Sequence, residues 1–443
     1  MKCWLTTLTA ALSLNVAAND LILDHNLAYQ LTESLTVEVG QRLAGSEADA
    51  RAVAWAEQKF NQLGYDKVWT EPFNMQYWER GQASLTVSAP FKQSLVVTAL
   101  GGSIATPVDG INAKVVMFDS LEQLKAAAPA QVKNKIVFIN KGMGKDKLGS
   151  FYGAVVGARA TGAIEAAKLG AKAIVIRSVG TSINRFAHTG MMRYSDEVER
   201  IPAAAISVPD ALQLAKMLKL KPELSLQLNM QNKLPGTVTS YNVIAEITGS
   251  KYPEEIVLIG AHLDSWDEGT GALDDGAGVG IVMATAALLK QQARPERTVR
   301  VVLFGNEEGG LIGARAYAAK HAANLSNHVF ASESDFGAGL IWRLDTGFGE
   351  KSLAFGRKLQ EKLAPFGVTM GDNTASGGPD ISVLKAQGVP VVSLQQDGTD
   401  YFDYHHTPND TLDKIDPAKL QQNLQVWLTT ITTIANSQID LRK

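Results

Sequence analysis

Val257-Leu258-Ile259-Gly260-Ala261-His262, followed after a polar loop by Gly278 to Gln291, is the stretch on which the fold turns. It reads as a strand that leads through a loop into a helix. The same alternation runs on through strand Val299 to Phe304, helix Leu311 to Asn324, strand Val329 to Ser332 and helix Ser352 to Leu363. Strand Pro390 to Leu394 and a last helix, Pro417 to Asn436, close the series, and Val243-Ile244-Ala245-Glu246 adds a strand at its start. That order predicts an α/β fold, a mostly parallel mixed sheet sandwiched by helices. Functional groups of such folds gather in loops at the carboxyl ends of the strands.

Upstream the pattern changes. From Leu95 to Leu234, short β-rich runs (Ala113 to Phe118, Lys135 to Ile139, Ala173 to Ile176, Ala203 to Ile206) alternate with an alanine- and glycine-rich helix, Ala154 to Leu169, and a helix from Asp210 to Leu218. This reads as a self-contained module ending in a linker, Asn232 to Gly236. Its glycines match neither G-x-G-x-x-G nor the P-loop spacing and are read as turn and packing residues. Before it, Leu23 to Gly40 and Glu47 to Leu63 read as helices and Val68 to Tyr77 as a strand.

Lys2, the apolar run Trp4 to Leu14 and the small residues Val16-Ala17-Ala18 predict a signal peptide over 1–18, hence an exported protein, periplasmic or secreted. Its removal takes away Cys3, the only cysteine among 443 residues, leaving neither disulfide nor thiol nucleophile. With 42 basic and 45 acidic residues the net charge is −3. Nothing in that balance suggests nucleic acid or an anionic membrane as a partner. G-x-S-x-G is absent, so serine hydrolysis has no support.

Several loops after the strands are unusually rich in acids and histidines. They are His262-Leu263-Asp264-Ser265-Trp266-Asp267, Asp274-Asp275-Gly276, Glu307-Glu308-Gly309-Gly310, Glu333-Ser334-Asp335 and His405-His406-Thr407-Pro408-Asn409-Asp410. Each alone has a bland reading, such as an Asp-Asp helix cap or a solvated His-His. Carboxylates bunched at one edge of one sheet, however, raise one another's pKa unless a cation is present. Histidines among them favour zinc over calcium or magnesium. Two zinc ions bring roughly four positive charges, which three carboxylates and a hydroxide offset, so the inventory fits a pair of metals.

His262-x-Asp264-Ser265, Asp274-Asp275-Gly276, Glu307-Glu308, Glu333-Ser334-Asp335 and His406-Thr407-x-x-Asp410-Thr411 resemble the co-catalytic two-zinc exopeptidases, a family of aminopeptidases and glutamate carboxypeptidases. Trp266-Asp267, His405-His406, Ala187-His188-Thr189-Gly190 and Arg42-Leu43-Ala44-Gly45-Ser46 look most like its carboxypeptidase Q branch. The resemblance implies a zinc exopeptidase (phosphorylase/hydrolase-like) fold. Its peptidase domain would be formed by 19–94 and 235–443, with 95–234 as an inserted protease-associated domain. It implies two zinc ions per chain, with His262 and Glu308 on one, Asp335 and His406 on the other, and Asp274 bridging. Glu307 matches the general base and acid, and Asp264 the carboxylate that orients His262. Asp275 matches a position of unusual backbone geometry, often a cis peptide. The implied substrates are dipeptides or short peptides, attacked by a hydroxide bridged between the metals, and the implied assembly is a homodimer. An aminopeptidase would keep the same core residues; a glutaminyl cyclase and a non-enzymatic binding relative are further alternatives. Tyr401 and Tyr404, beside His406, are candidate pocket residues, whereas Trp266 and Trp342 read as core.

Overall fold

A computed structural model describes Asp24 and residues 26–443, and the expected signal peptide lies outside the described residues. The deciding strand spans Tyr252–His262 and its helix Ala277–Gln292. Every helix residue from Ala277 to Leu289 is buried, as is every residue of strand Arg297–Phe304. These runs lack polar alternation because the sheet is covered by helices on both faces. The stretch Ala272–Gln292 is long and apolar enough to cross a membrane, but its most apolar part is buried inside the protein and, from Ala277, forms a core helix of the sandwich. Close packing there depends on glycine. A Cβ on Gly280 would stand 2.4 Å from the carbonyl oxygen of Ala28, on the first helix, Leu27–Glu38.

The first sheet orders its strands Lys67–Glu79, Lys233–Ile247, Arg297–Phe304, Tyr252–His262, His328–Glu333, Val391–Gln396, Ile341–Gly347 and Thr369–Met370. The middle four are mutually parallel, and the strands on either flank join them antiparallel. Register aligns His262 with Phe304 and Gly260 with Glu333. The loops that follow these strands therefore emerge at one edge, as expected for an α/β sheet.

The second sheet runs Gln93–Leu95, Ala83–Ala89, Ser225–Met230, Ile111–Phe118, Ile136–Ile139, Ala173–Arg177, Ala203–Ile206 and Val97–Ala99. Alternate residues of one strand feed separate cores. Ile136 and Phe138 pack with helix Val208–Leu220, while Val137 and Ile139 pack with helix Val156–Lys168.

Three details depart from the sequence reading. Ala83–Ala89, upstream of residue 95, belongs to the second sheet. Asn232 to Gly236 is no loose linker, because Lys233 already pairs with Glu79 in a long antiparallel ribbon. That end of the strand is largely exposed, so it carries no apolar run to betray it. Strand Ile341–Gly347 was not anticipated either: Arg343 and Asp345 interrupt its apolar pattern and pair with each other at 2.7 Å.

Candidate metal centre

The loop from His262 to Asp274 is held from behind by a buried arginine. Arg42 donates through Nε to the Leu263 carbonyl (2.6 Å) and through its two terminal nitrogens to the carbonyls of Thr270 (2.7 Å) and Gly271 (3.0 Å). Asp410 accepts from the backbone N–H groups of Leu273 (2.7 Å) and Asp274 (3.1 Å). The Asp274–Asp275 peptide is cis, in keeping with the geometry implied for Asp275. The Asp275 carboxylate turns back to accept from the backbone N–H of His262 (3.1 Å) and of Gly278 (3.1 Å).

His262, Asp274, Glu308, Asp335 and His406 come together. His262 Nε2 lies 3.1 Å from Asp274 Oδ1 and 3.4 Å from Asp335 Oδ1. His406 Nε2 lies 3.3 Å from Asp274 Oδ2 and 3.0 Å from Glu308 Oε2. The two Asp274 oxygens thus face different histidines, as a bridging carboxylate requires. The direct contacts pair the donors differently from the sequence expectation: Asp335 stands with His262, and Glu308 with His406. Order along the chain names the donors but not their partners across strands. His405 stacks on His406 with ring centroids 3.5 Å apart, and its Nε2 is the more distant from Asp274, at 3.7 Å.

Asp264 departs from expectation as well. His262 Nδ1 sits 2.9 Å from the Asp264 main-chain carbonyl, while the carboxylate is 3.8 Å away. That carboxylate instead accepts the backbone N–H of Glu307 at 3.0 Å. Asp264 therefore orients the imidazole through its backbone and anchors the Glu307 turn through its side chain.

Electrostatics mark the cluster as a site for cations. Desolvation, reinforced by Asp335 and Glu308, holds the Glu307 carboxyl well above the usual range. It raises Asp335 and Glu308 too. Against desolvation, hydrogen bonds from His262 and His406 hold Asp274 well below the range. Burial disfavours charge on His406, yet Glu308 and Asp274 push it up to about 9. A divalent cation among these groups would lower the raised carboxylates and His406 alike. The donor set fits one: Asp274 with His405 and His406, His262 with Asp275 and Asp335, and His262 with Asp274 and Glu308 each bring ligand atoms within 4.8 Å of one another. Glu308 Oε1 is buried without a hydrogen-bond partner.

Comparison with known proteins agrees with this geometry. Residues 242–431 match the peptidase family M28 model. Human carboxypeptidase Q is 37% identical over 414 residues, covering 93% of this chain and 86% of that one. The chain belongs to peptidase family M28. It is a metallo-exopeptidase, and its substrates are peptides. A solved M28 peptidase precursor from Shewanella amazonensis SB2B superposes with a TM-score of 0.93 at 52% identity, covering 94% of this chain and 95% of that one. A zinc aminopeptidase from Bacillus subtilis shares the fold at 21% identity, with a TM-score of 0.70 and coverage of 96% and 99%.

In this M28 peptidase a cavity of about 750 Å³ opens over the cluster. Glu307 and Tyr401 line it, whereas Tyr404 lines a neighbouring one of about 540 Å³. Sequence reasoning missed the contributions of the second sheet's module. The Thr189 carbonyl lies 3.3 Å from His406 Nδ1, and Tyr152 and Arg159 form part of the cavity wall. Trp266, read as core, does pack into the module's core, but its Nε1 also donates to Glu308 at 2.5 Å. Of these only Trp266 and Thr189 lie in motifs the sequence had flagged.

Proposed function

We propose that the protein is an exported zinc exopeptidase of the carboxypeptidase Q kind. It would hydrolyse dipeptides or short peptides with two zinc ions per chain, as a homodimer, with 95–234 as a protease-associated insert. The observation that carries the reading is the single carboxylate, Asp274, placed between the His262–Asp335 and His406–Glu308 pairs with Glu307 beside them.

His262, Asp335 and Asp274 would hold one ion; Glu308, His406 and Asp274 would hold the other. Zinc supplies Lewis acidity toward the scissile carbonyl and acidifies water near neutral pH. The chain's own groups manage position and protons. Thr189 and Asp264 fix the two imidazoles from behind through main-chain carbonyls, which keeps Nδ1 protonated and Nε2 free for the metal. Glu307 is held by the Asp264 carboxylate at its backbone, and with cations in the centre its carboxylate is ionised and free to accept a proton. It takes a proton from the attacking water and delivers it to the leaving amine nitrogen.

Glu307→Gln preserves shape and removes the base. Turnover of a dipeptide should fall by about 10³-fold or more, with zinc content unchanged by elemental analysis. Near-normal turnover in the zinc-loaded variant would overturn the role of Glu307.

A further inference from the structure

We propose that His188, carried to the site by the second sheet's module, is a positioning residue for His406. With Thr189 it clasps the backbone of the histidine pair and thereby sets how tightly the ion on the His406 side is held. The proposal rests on the two-zinc reading and adds what the module does for the centre.

The two imidazoles of the centre start from unequal footing. His262 ends strand Tyr252–His262, where ladder hydrogen bonds fix its backbone. His406 lies beyond the four-residue helix Tyr401–Tyr404, in a loop, with φ at +60°. That left-handed region is disfavoured for a bulky side chain and persists only where the surroundings hold it. Here the module holds it. His188 Nδ1 donates to the His405 carbonyl at 2.7 Å, and the Thr189 N–H donates to the His406 carbonyl at 3.0 Å. The bond from His406 Nδ1 to the Thr189 carbonyl completes the clasp, so that backbone and imidazole are pinned together.

The clasp is itself firmly mounted. The His188 N–H donates to the Ser178 hydroxyl at 2.8 Å, and that hydroxyl donates to the Ile206 carbonyl at 2.7 Å. Thr189 Oγ1 donates to the Ala99 carbonyl at 2.9 Å and accepts from Arg80. Gly180 makes room for the imidazole: a Cβ there would stand 2.2 Å from His188 Cε1. His188 is 1% exposed, and its Nε2 has no partner. An imidazole buried with one nitrogen unpaired is favoured only through what the other nitrogen does. For His188 that is the bond to His405. Linkage makes the clasp reciprocal: if it favours the ion, the ion favours the clasp by the same factor.

The test equilibrates the zinc-loaded full chain with graded chelator and reads bound metal by elemental analysis. His188→Leu keeps the bulk and deletes the donor, whereas His188→Asn places an amide nitrogen where Nδ1 stood. In an Asp335→Asn background, which leaves the His406 side to bind, His188→Leu should weaken the remaining ion by about 10- to 100-fold. His188→Asn should recover most of that loss. In a Glu308→Gln background, which leaves the His262 side, His188→Leu should change affinity by less than about 3-fold. Equal losses in both backgrounds, or none in either, would overturn the proposal. A second readout needs no variant to fold. Stripping zinc from the wild type should speed hydrogen exchange in residues 187–190 by at least about 5-fold and leave strand Ala173–Arg177 unchanged. Exchange at 187–190 that is indifferent to zinc would overturn the proposal as well. A wild type that takes up fewer than two ions overturns the two-zinc reading, and the role of the clasp with it.

Discussion

Both sheets of this protein contain parallel strands flanked by helices, yet they meet the substrate cavity in different ways. In the first sheet the carboxyl ends of the strands deliver His262, Glu307, Glu308 and Asp335 directly. In the second, the contributions come from a short 3-10 turn carrying Tyr152, from the first turn of helix Val156–Lys168 carrying Arg159, and from the loop around Thr189. Strand ends fixed by ladder hydrogen bonds suit donors that must hold a metal geometry. Helix turns and loops suit a wall that reads the rest of the substrate. The two regions are joined at Arg80, which holds Asp267 through both carboxylate oxygens, donates to Thr98 and Thr189, and lies over Trp78 and Trp266.

The largest effects should fall within the first region. On the proposed two-zinc reading, Asp274→Asn should release both ions and lower activity by about 10³-fold or more. If the observed pairing is right, His262→Ala and Asp335→Asn should each empty one site and leave the other filled. Glu308→Gln and His406→Ala should do the reverse. Zinc stoichiometry and competition between the single variants read this out, and a phenotype shared by His262 and Glu308 would restore the pairing expected from the sequence.

A smaller loss is expected at the junction. Arg80→Met leaves Asp267 and Glu268 without their cation in surroundings only 22% and 18% exposed. Stability in denaturant titration should drop by about 3 kcal/mol. Trp266→Phe keeps the packing but deletes the donor to Glu308, and should weaken zinc binding by about 10-fold. Unchanged zinc affinity would confine Trp266 to the core.

Near neutral pH the smallest effect lies away from the cavity. Burial pushes His328, paired with the Tyr317 hydroxyl at 2.7 Å, down to about 3. The unfolded chain then binds a proton below pH 6.5 that the native chain refuses until pH falls to about 3. Stability should therefore decline as pH drops through that window, by up to about 1.4 kcal/mol per pH unit from this residue. His328→Gln should flatten the slope of urea-unfolding free energy between pH 6.5 and 5, and an unaltered slope would count against it.

Legibility differed between the same two regions. The parallel strands of the first sheet are buried on both faces, so their unbroken apolar runs announce them, and the donors follow at their ends. Ile341–Gly347 escaped because an internal Arg343–Asp345 pair disguises a strand as a loop. Which of the donors stand in direct contact was not readable, since it depends on which strands are neighbours. Arg159 was invisible for another reason. A single cation in an alanine-rich helix has no motif, and its place in the cavity wall is a property of three-dimensional surroundings.

The ribbon formed by Lys67–Glu79 and Lys233–Ile247 has a kinetic consequence. Its paired strands carry the chain out to the second sheet and back again, so two covalent tethers hold the module over the cluster of acids and histidines. The effective molarity of the module's wall residues at the cavity is therefore set by a short stiff double linkage rather than by protein concentration. Capture of a substrate would need no domain to arrive by diffusion, and dilution would leave the wall and the metal ligands equally well assembled.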